Sequence, residues 1–315
     1  MEKSYLLTVS PAPHIHSRKT LTNLMLDFII ALLPAFAYGI YVFGVSTVKV
    51  VLIAIVSSVI WEVLFQKATG RDLTYKDLSS FASGFIFAML LPPSAPWWMI
   101  LLGTLLMIGL GREVYGGYGT NPFNGVLIAW VILRLSFPSY MFDWIVPVGC
   151  NVKLSPMQIL KTQGPEFVYD YYSLKDLLIG KKVGFIGCVS PLMVLLGGIY
   201  LLIRKTINWR IPISFLFGVT IFSFLCWFIS AGKYIDPLFH LLAGGTMLGA
   251  FFLATDYPST PVTRQGMLIF GFAAGVLSVI IRTWGHWTFG VYYSILIASL
   301  ATPFLDKLTP QPYGR

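Results

Sequence analysis

Charge is what this sequence most lacks. Only 11% of its 315 residues are Asp, Glu, Lys or Arg, against about 25% in an ordinary soluble domain. Hydrophobic residues make up 56%. These proportions exclude a soluble globular domain, and they exclude a disordered chain, because so apolar a chain cannot stay solvated. We therefore expect an integral membrane protein that lies in the lipid bilayer.

Cysteine is also scarce. Cys150, Cys188 and Cys226 are widely spaced and form no CxxC motif, which excludes a disulfide framework and any zinc or iron–sulfur centre held by this chain alone. No GxGxxG occurs in a strand–turn–helix context, so no dinucleotide site is expected. The formal net charge of +9 favours basic loops beside anionic lipid, and we expect no nucleic-acid partner.

Long apolar runs predict about ten membrane spans. The first two are each close to the roughly 20 residues that cross the hydrocarbon, and the N-terminal residues lack the features of a secretory signal. The polar stretch 138–182 is long enough to form a small cap. The predicted spans cover residues 24–43, 48–65, 80–91, 97–110, 123–137, 183–203, 211–230, 238–253, 267–281 and 290–305.

Ten spans place both termini on the same side of the membrane. With a cytoplasmic N-terminus, 13 Lys and Arg residues fall in inside segments and at most 9 outside, which agrees with the positive-inside rule. We predict both termini on the cytoplasmic side of a bacterial or archaeal membrane. The predicted domains are a cytoplasmic N-terminal segment 1–23, a first membrane repeat 24–137, an extracytoplasmic cap 138–182, a second membrane repeat 183–306 and a cytoplasmic tail 307–315.

The two halves of the chain share a pattern. Residues 82–96 and 243–261 are both apolar, and they end in PSAP and PSTP, 165 residues apart. Two copies of a five-span unit must sit upside down relative to each other, because five is odd. Such inverted repeats bring broken helices together around a ligand or ion site. A common helix stop explains the PSxP match equally simply.

The first polar cluster is the run GREVYGGYGTNPFN at residues 111–124. Gly116 and Gly117 let backbone amides approach a planar or phosphorylated ligand, and Asn121 and Asn124 offer both donors and acceptors. A tight turn that caps the next helix is the alternative.

The second cluster is Thr255-Asp256, which follows an apolar run. A carboxylate at that depth is costly unless it pairs, binds an ion or accepts hydrogen bonds, although helix capping also fits. Asp27 and Glu62 are weaker candidates, with Glu62 expected at the membrane interface. Arg282 lies near the presumed outer end of a span, where snorkelling to the surface explains it at least as well as ion handling.

The third cluster is GFIGCVSPL at residues 184–192. Ser190 stands where an N-cap would lie, Pro191 suits the first helical position, and Gly187 precedes them. Phosphate is favoured at such a helix start. No catalytic base is arranged beside Ser190, so a serine hydrolase has no support.

These clusters together resemble the RnfD family, a membrane component of Rnf electron-transport complexes that is related to the B subunit of the sodium-pumping NADH:quinone reductase. The resemblance is carried by GREVYGGYGTNPFN, GAFFLATDYPSTPVTRQG and GFIGCVSPLMVLLGG, and it extends from PHIHS to the closing span. It implies an all-α, urea-transporter-like fold in two inverted five-helix repeats.

The resemblance also implies two flavins on opposite sides of the membrane. FMN would be joined by a phosphoester to Ser190, whose setting CVSPL matches the family's x-A-T-P-L with Ser for Thr and Val for Ala; in a second register the attachment falls near Ser173. Riboflavin would lie on the inner side. The resemblance matches Asn121 and Asn124 to the family's asparagines near riboflavin, and Thr255 and Asp256 to its TDP motif, as polar lining. The other expected cofactor-binding residues are Gly187, Pro191, Gly116 and Gly117.

The chain departs from the family at Tyr257, where the TDP motif has proline, and at Phe289, where the family often has an acidic residue. The implied partners are the A, B, C, E and G subunits of the Rnf complex, with ferredoxin and NAD reached through them. The implied complex oxidises ferredoxin, reduces NAD and exports Na⁺ or H⁺, and the isolated chain is expected to be inactive. The repeat alone also fits a channel or secondary transporter for a small solute.

Overall fold

The computed structural model describes residues 20–147, 150, 152–230 and 232–308. These described residues form α-helices, short 3-10 turns and one π-helical segment, with no β-strand among them. The structure confirms the predicted all-α class. The α-helices are α1 Leu21–Phe43, α2 Val45–Ala68, α3 Ser79–Met89, α4 Trp97–Gly109, α5 Gly125–Ser136, α6 Pro138–Met141, α7 Pro156–Thr162, α8 Pro165–Tyr171, α9 Leu174–Ile179, α10 Pro191–Ile203, α11 Arg210–Ile229, α12 Pro237–Leu242, α13 Thr246–Leu248, α14 Arg264–Thr283, α15 Gly290–Ser299 and α16 Thr302–Leu305.

Five helical segments among the described residues are long and apolar enough to cross a membrane, by length and composition. They are α1, α2, the segment Trp97–Tyr115 that begins with α4, α11 and α14. The shorter apolar helices α3, α5, α10 and α15 and the interrupted run from α12 into α13 make ten apolar elements. The structure therefore confirms a multi-pass membrane protein. Most of the predicted terminal segments 1–23 and 307–315 lie outside the described residues.

The two halves of the chain repeat one packing pattern. α2 packs against α3 and α4, and α11 packs against α12 and α14. α4 contacts α5 as α14 contacts α15, and the first helices of the two halves, α1 and α10, pack against each other. We call the side on which α1 begins the base, and the opposite side, which carries α6 to α9, the cap side.

The third element of each half enters from opposite sides. Arg112, which follows α4 at the base, donates to Ser80 Oγ at the start of α3 over 2.9 Å. Arg282, at the cap-side end of α14, donates to the His240 carbonyl oxygen in α12 over 2.9 Å. α3 therefore starts at the base and α12 starts at the cap side, as an inverted repeat requires.

The predicted sixth span, 183–203, is helical only in part. α10 starts at Pro191, as the N-cap interpretation of Ser190 predicted, and a 3-10 turn at Ile186–Cys188 precedes it. The Ile186 amide donates to the Leu91 carbonyl oxygen over 3.1 Å, beyond the end of α3. A side chain at Gly187 would come within 2.6 Å of Met89 Cβ, so this turn fits closely against the end of α3.

The eighth span is broken, where the sequence predicted one continuous run. α12 ends at Leu242, α13 starts at Thr246, and a π-helical segment, Gly249–Leu253, follows. Gly244 and Gly245 have φ angles of +65° and +75°, a left-handed conformation that favours glycine. The tenth span also ends earlier than predicted, because α15 stops at Ser299 and the short helix α16 follows.

The cap has a small core of its own. Buried side chains from α7, α8 and α9 pack against buried side chains in and before α12. Its core residues are Met157, Ile159, Val168, Tyr172, Leu177, Ile235, Phe239 and Ala243. The cap thereby covers the broken eighth span.

An aromatic cluster fills the centre of the membrane region. Trp130 in α5 is fully buried, and its indole nitrogen donates to the Leu90 carbonyl oxygen over 3.0 Å. Phe185 lies 5.8 Å from the Trp130 ring and 4.5 Å from the Phe289 ring, centroid to centroid. Phe289 therefore belongs to the apolar core.

Small residues bring α11 and α14 into close contact. A Cβ atom at Gly275 would overlap the Phe215 carbonyl oxygen. Glycine allows such close helix approach in membranes. We expect Gly275→Ala to destabilise the chain by about 2 kcal/mol, because overpacking moves the backbones apart. Gly184→Ala is the matched control, since no described atom lies within 4 Å of its Cβ position. Thermal unfolding in detergent measures both; equal stability of the two variants would contradict this packing account.

Candidate functional site

A cavity on the base side lies between the two repeats. It is lined from α1, α3, α4, the loop before α5 and the start of α5, and from the end of the π-helical segment and the residues that follow it. Of the residues singled out in the sequence, it brings together Asn121, Asn124 and Asp256. We call it the base cavity.

Asn124 joins the two repeats at this cavity. Its Oδ1 accepts from the backbone amides of Val126 and Leu127 over 3.0 and 3.4 Å, which caps α5. Its Nδ2 donates to the Leu253 carbonyl oxygen over 3.2 Å, at the end of the π-helical segment. One buried side chain therefore satisfies both a helix start in the first repeat and a helix end in the second.

Asn121 and Asp256 make hydrogen bonds within the loops on either side of the base cavity. Asn121 donates to the Phe123 carbonyl oxygen over 2.8 Å, and Asp256 accepts from the Ser259 hydroxyl over 2.9 Å. Tyr118 also lines the cavity. The Arg112 guanidinium lies 5.1 Å from the centre of the Tyr118 ring, so a cation borders the cavity.

The other base-side residues singled out in the sequence lie outside the base cavity. Gly116 and Gly117 line a neighbouring open groove of about 490 Å³, together with Arg71 and Glu113. Thr255 is buried, and its hydroxyl donates to the Phe251 carbonyl oxygen over 2.7 Å. The turn interpretation of the glycine run agrees with these positions.

The cap-side residues are placed at the start of α10. Gly187 and Pro191 line a small cavity beside the break in the eighth span. Ser190 is 4% exposed, and its Oγ accepts from the Met193 amide over 3.4 Å, as an N-cap does. Ser173 is exposed and donates to Asp176 over 2.6 Å.

A third serine has the same arrangement as Ser190. Ser155 caps α7, is followed by Pro156, and forms a capping box with Gln158. It is 2% exposed. The hydroxyl–proline order was visible in the sequence, but its place at a helix start became evident only from the cap's fold.

A buried charge cluster at the base was missed in the sequence. Glu62, a weaker candidate in the sequence, is fully buried within the protein. Its Oε1 lies 2.7 Å from Arg112 Nη2. Glu113 lies 3.6 Å from Arg112 and 3.5 Å from Arg71. Glu62 and Arg112 are 50 positions apart, so no local pattern could have paired them.

Asp27 and Arg282 also have defined partners. Asp27 accepts from Tyr200 over 3.1 Å and from Thr206 over 2.8 Å, and it lies 3.2 Å from Arg204, so it ties α1 to the end of α10. Arg282 is 1% exposed, so the snorkelling interpretation is wrong. Its guanidinium donates to backbone carbonyls at the break between α12 and α13.

Lys182, at the end of the cap, is buried and donates to the Leu242 carbonyl oxygen. Burial lowers the pKa of Lys182 from 10.5 to about 7; nearby Cys188 opposes this and Arg282 adds to it. Above that pKa the unfolded chain binds the proton and the folded chain does not, so stability rises with pH up to the unfolded pKa. We expect the wild type to gain about 2 kcal/mol between about pH 7 and 9, and Lys182→Met to lose this gain. Chemical unfolding at both pH values measures it; parallel curves for the two chains would contradict the expectation.

The chemistry of the base cavity fits a flavin ring. Phe28, Phe252 and Tyr257 supply aromatic surface, beside the polar groups described above, and cofactor sites combine apolar walls with a few polar groups. The cavity's volume is about 50 Å³, enough for a few waters. A bound ring therefore requires lining side chains to move, as side-chain rotamers commonly do on binding.

Comparison with known proteins shows that this chain is similar to them over nearly its whole length. Residues 8–314 match the family model described as the NQR2, RnfD, RnfE family. The chain is 38% identical over 309 residues to the D subunit of the Na⁺-translocating ferredoxin:NAD⁺ oxidoreductase complex of Acetobacterium woodii, covering 97% of this chain and 94% of that one. It is 34% identical over 325 residues to the proton-translocating counterpart of Clostridium ljungdahlii, covering 99% and 97%. It is 32% identical over 348 residues to the D subunit of the ion-translocating oxidoreductase complex of Escherichia coli K12, covering 97% and 98%.

Proposed function

The chain belongs to the NQR2, RnfD, RnfE family, and on that premise we propose that it is the flavin-carrying membrane subunit of an ion-translocating ferredoxin:NAD⁺ oxidoreductase complex. The observation that carries this proposal is the match to the D subunits of such complexes over nearly the full length of both chains. The chain works as one part of the enzyme. Its partners are the A, B, C, E and G subunits of the Rnf complex, and ferredoxin and NAD bind to those partners.

Two flavins are proposed, one at each side of the membrane. FMN is joined through a phosphoester to Ser190, with Gly187 and Pro191 beside it. Ser190 would supply the oxygen that bonds to the phosphorus of an activated FMN donor, while the serine proton and the donor's leaving group depart. Because Ser190 is 4% exposed, the residues around it would have to move to admit that donor. Ser173 and Ser155 are the alternative cap-side attachment points.

Riboflavin is proposed for the base cavity. Asn121, Asn124 and Asp256 line this cavity, and Thr255 supports its wall through the bond to Phe251. The groove that contains Gly116 and Gly117 adjoins it through Arg112 and Tyr118, which line both. A bound flavin supplies one- and two-electron transfer, and the chain's residues position the ring and exclude water. Flavins on opposite sides let electrons cross the membrane.

The coupling ion is proposed to be Na⁺ or H⁺, exported as electrons move. The similar chains from Acetobacterium woodii and Clostridium ljungdahlii are named for Na⁺ and for protons respectively, so overall similarity to these relatives does not select the ion. We propose a cytoplasmic membrane location with both termini in the cytoplasm. That places the base on the cytoplasmic side and the cap outside.

Deletion and complementation test the proposal. Membrane vesicles from a strain that lacks this chain should lose ferredoxin-dependent NAD reduction and the accompanying ion uptake, and the wild-type chain should restore both. Unchanged ferredoxin-dependent NAD reduction in the deletion strain would contradict the proposal. Urea flux into liposomes that contain only this chain would favour the transporter alternative instead.

A further inference from the structure

A second cavity, of about 170 Å³, lies on the cap side. The cap helices α7 and α8, the connection from α11 to α12, and the end of α14 form its walls. Four basic side chains line it: Lys161, Lys233, His240 and Arg282. No Asp or Glu is among the described residues of its lining. We call it the cationic cavity.

Two buried basic side chains in this cavity each have a nitrogen atom without a hydrogen-bond partner among the described residues. Arg282 is 1% exposed and His240 is 4% exposed. Within the described part of the chain, Arg282 Nε and His240 Nδ1 have no hydrogen-bond partner. Lys161 donates to the Thr283 carbonyl oxygen over 3.3 Å, and to the Gly285 carbonyl oxygen. These partners are neutral, and a buried charge without a counter-charge is costly.

Two arginines in corresponding places of the two repeats, Arg112 and Arg282, have different partners. Arg112 and Arg282 each lie at or just beyond the end of the fourth helix of their repeat, and each donates to the third element. Arg112 also has carboxylates within 4 Å, from Glu62 and Glu113. No described carboxylate lies within that distance of Arg282. One repeat supplies its own anion, and the other leaves a cavity in the corresponding place.

We propose that the cationic cavity binds an oxyanion of the phosphate class, which supplies the negative charge that Glu62 and Glu113 supply to Arg112. Its volume of about 170 Å³ suits one phosphoryl group. Charge-assisted hydrogen bonds from arginine and lysine are the usual means of holding such a group. Trp284, 58% exposed, and Tyr234 form an aromatic rim, typical of the depth at which lipid headgroups lie. The source is either a free phosphate ester or ion, or an anionic phospholipid headgroup, and the site does not require the flavin function.

Two probes separate these sources, both applied to the purified full-length chain in phosphatidylcholine nanodiscs. Radiolabelled orthophosphate is measured by equilibrium dialysis. Added phosphatidylglycerol is measured by native mass spectrometry as retained lipid. Lys233→Met is the main variant, because this exposed side chain can be removed without disturbing the fold. Lys175→Met, an exposed cap lysine outside the cavity, is the matched control, and Lys161→Met tests a more buried contact.

The site predicts saturable, salt-sensitive binding of at least one probe. Lys233→Met should weaken it about fivefold and Lys161→Met about tenfold or more, whereas Lys175→Met should change it less than about twofold. Orthophosphate binding would assign a free phosphate group, and phosphatidylglycerol retention alone would assign a lipid headgroup. The proposal is overturned if neither probe binds at millimolar concentration, or if Lys233→Met binds as the control does.

Discussion

Arg112→Met is expected to destabilise the chain by about 3–5 kcal/mol, because it leaves buried carboxylates without their counter-charge. Glu62 is fully buried and Glu113 is 5% exposed. The 2.7 Å contact between Arg112 and Glu62 also joins α2 to the loop that follows α4. Unfolding in denaturant, followed by tryptophan fluorescence in detergent, measures the loss. Because Arg112 lines the base cavity, flavin retained there should fall as well.

Arg71→Met is the matched control for this prediction. The Arg71 side chain is 41% exposed and lies 3.5 Å from Glu113. Ion pairs with such an exposed member contribute less than about 1 kcal/mol to the free energy of unfolding. The double variant Glu62→Met/Arg112→Met should recover part of the loss, since removing both members of a buried pair is far less costly than removing one. A loss for Arg112→Met no larger than that for Arg71→Met would contradict the role assigned to the cluster.

Asn124→Ala is expected to destabilise the chain by about 3 kcal/mol. The variant removes the N-cap of α5, worth about 1 kcal/mol, and leaves the buried Leu253 carbonyl oxygen without its amide donor, which costs about 1–3 kcal/mol. It should also release flavin from the base cavity, because the two repeats are no longer tied there. Thermal unfolding and the flavin content of the purified chain are the measurements.

Two variants separate the contributions of Asn124. Asn124→Ser keeps a capping hydroxyl but does not reach Leu253, so its loss should fall between that of Asn124→Ala and the wild type. Thr20→Ala removes an exposed N-cap of α1 and should cost about 1 kcal/mol or less. Equal losses for Asn124→Ala and Thr20→Ala would show that the bond between the repeats adds nothing.

Hydropathy was sufficient to predict the positions of the long membrane spans. The predicted 24–43 and 48–65 correspond to α1 and α2, and 211–230 corresponds to α11, since lipid requires long, uninterrupted apolar helices. The PSxP match also indicated two opposed third elements, which the structure contains. The predicted spans 183–203 and 238–253 each contain a turn that hydropathy did not show, although the Ser190-Pro191 pair indicated where α10 starts. Hydropathy is averaged over a whole span, so it does not resolve a short break such as the one at Gly244-Gly245.

The candidate site was predictable only in part. Asn121, Asn124 and Asp256 were singled out from local polar clusters, and the fold brings them to one cavity. Long-range partners were not accessible in this way: the Leu253 carbonyl bound by Asn124 is 129 positions away. The partners of Arg282 were equally hidden, because backbone carbonyls leave no signature in a sequence.

Flavin content tests the central claim most directly. The chain is purified from membranes of a host that has the flavin-attaching enzyme and is examined by intact-mass and peptide mass spectrometry, beside Ser190→Ala. We predict an FMN-sized mass increment on the peptide that contains Ser190, absent from the variant, together with riboflavin released on denaturation. An increment on the peptide of Ser155 or Ser173 would retain the function and move the attachment point. A chain with neither a mass increment nor released flavin would contradict the account.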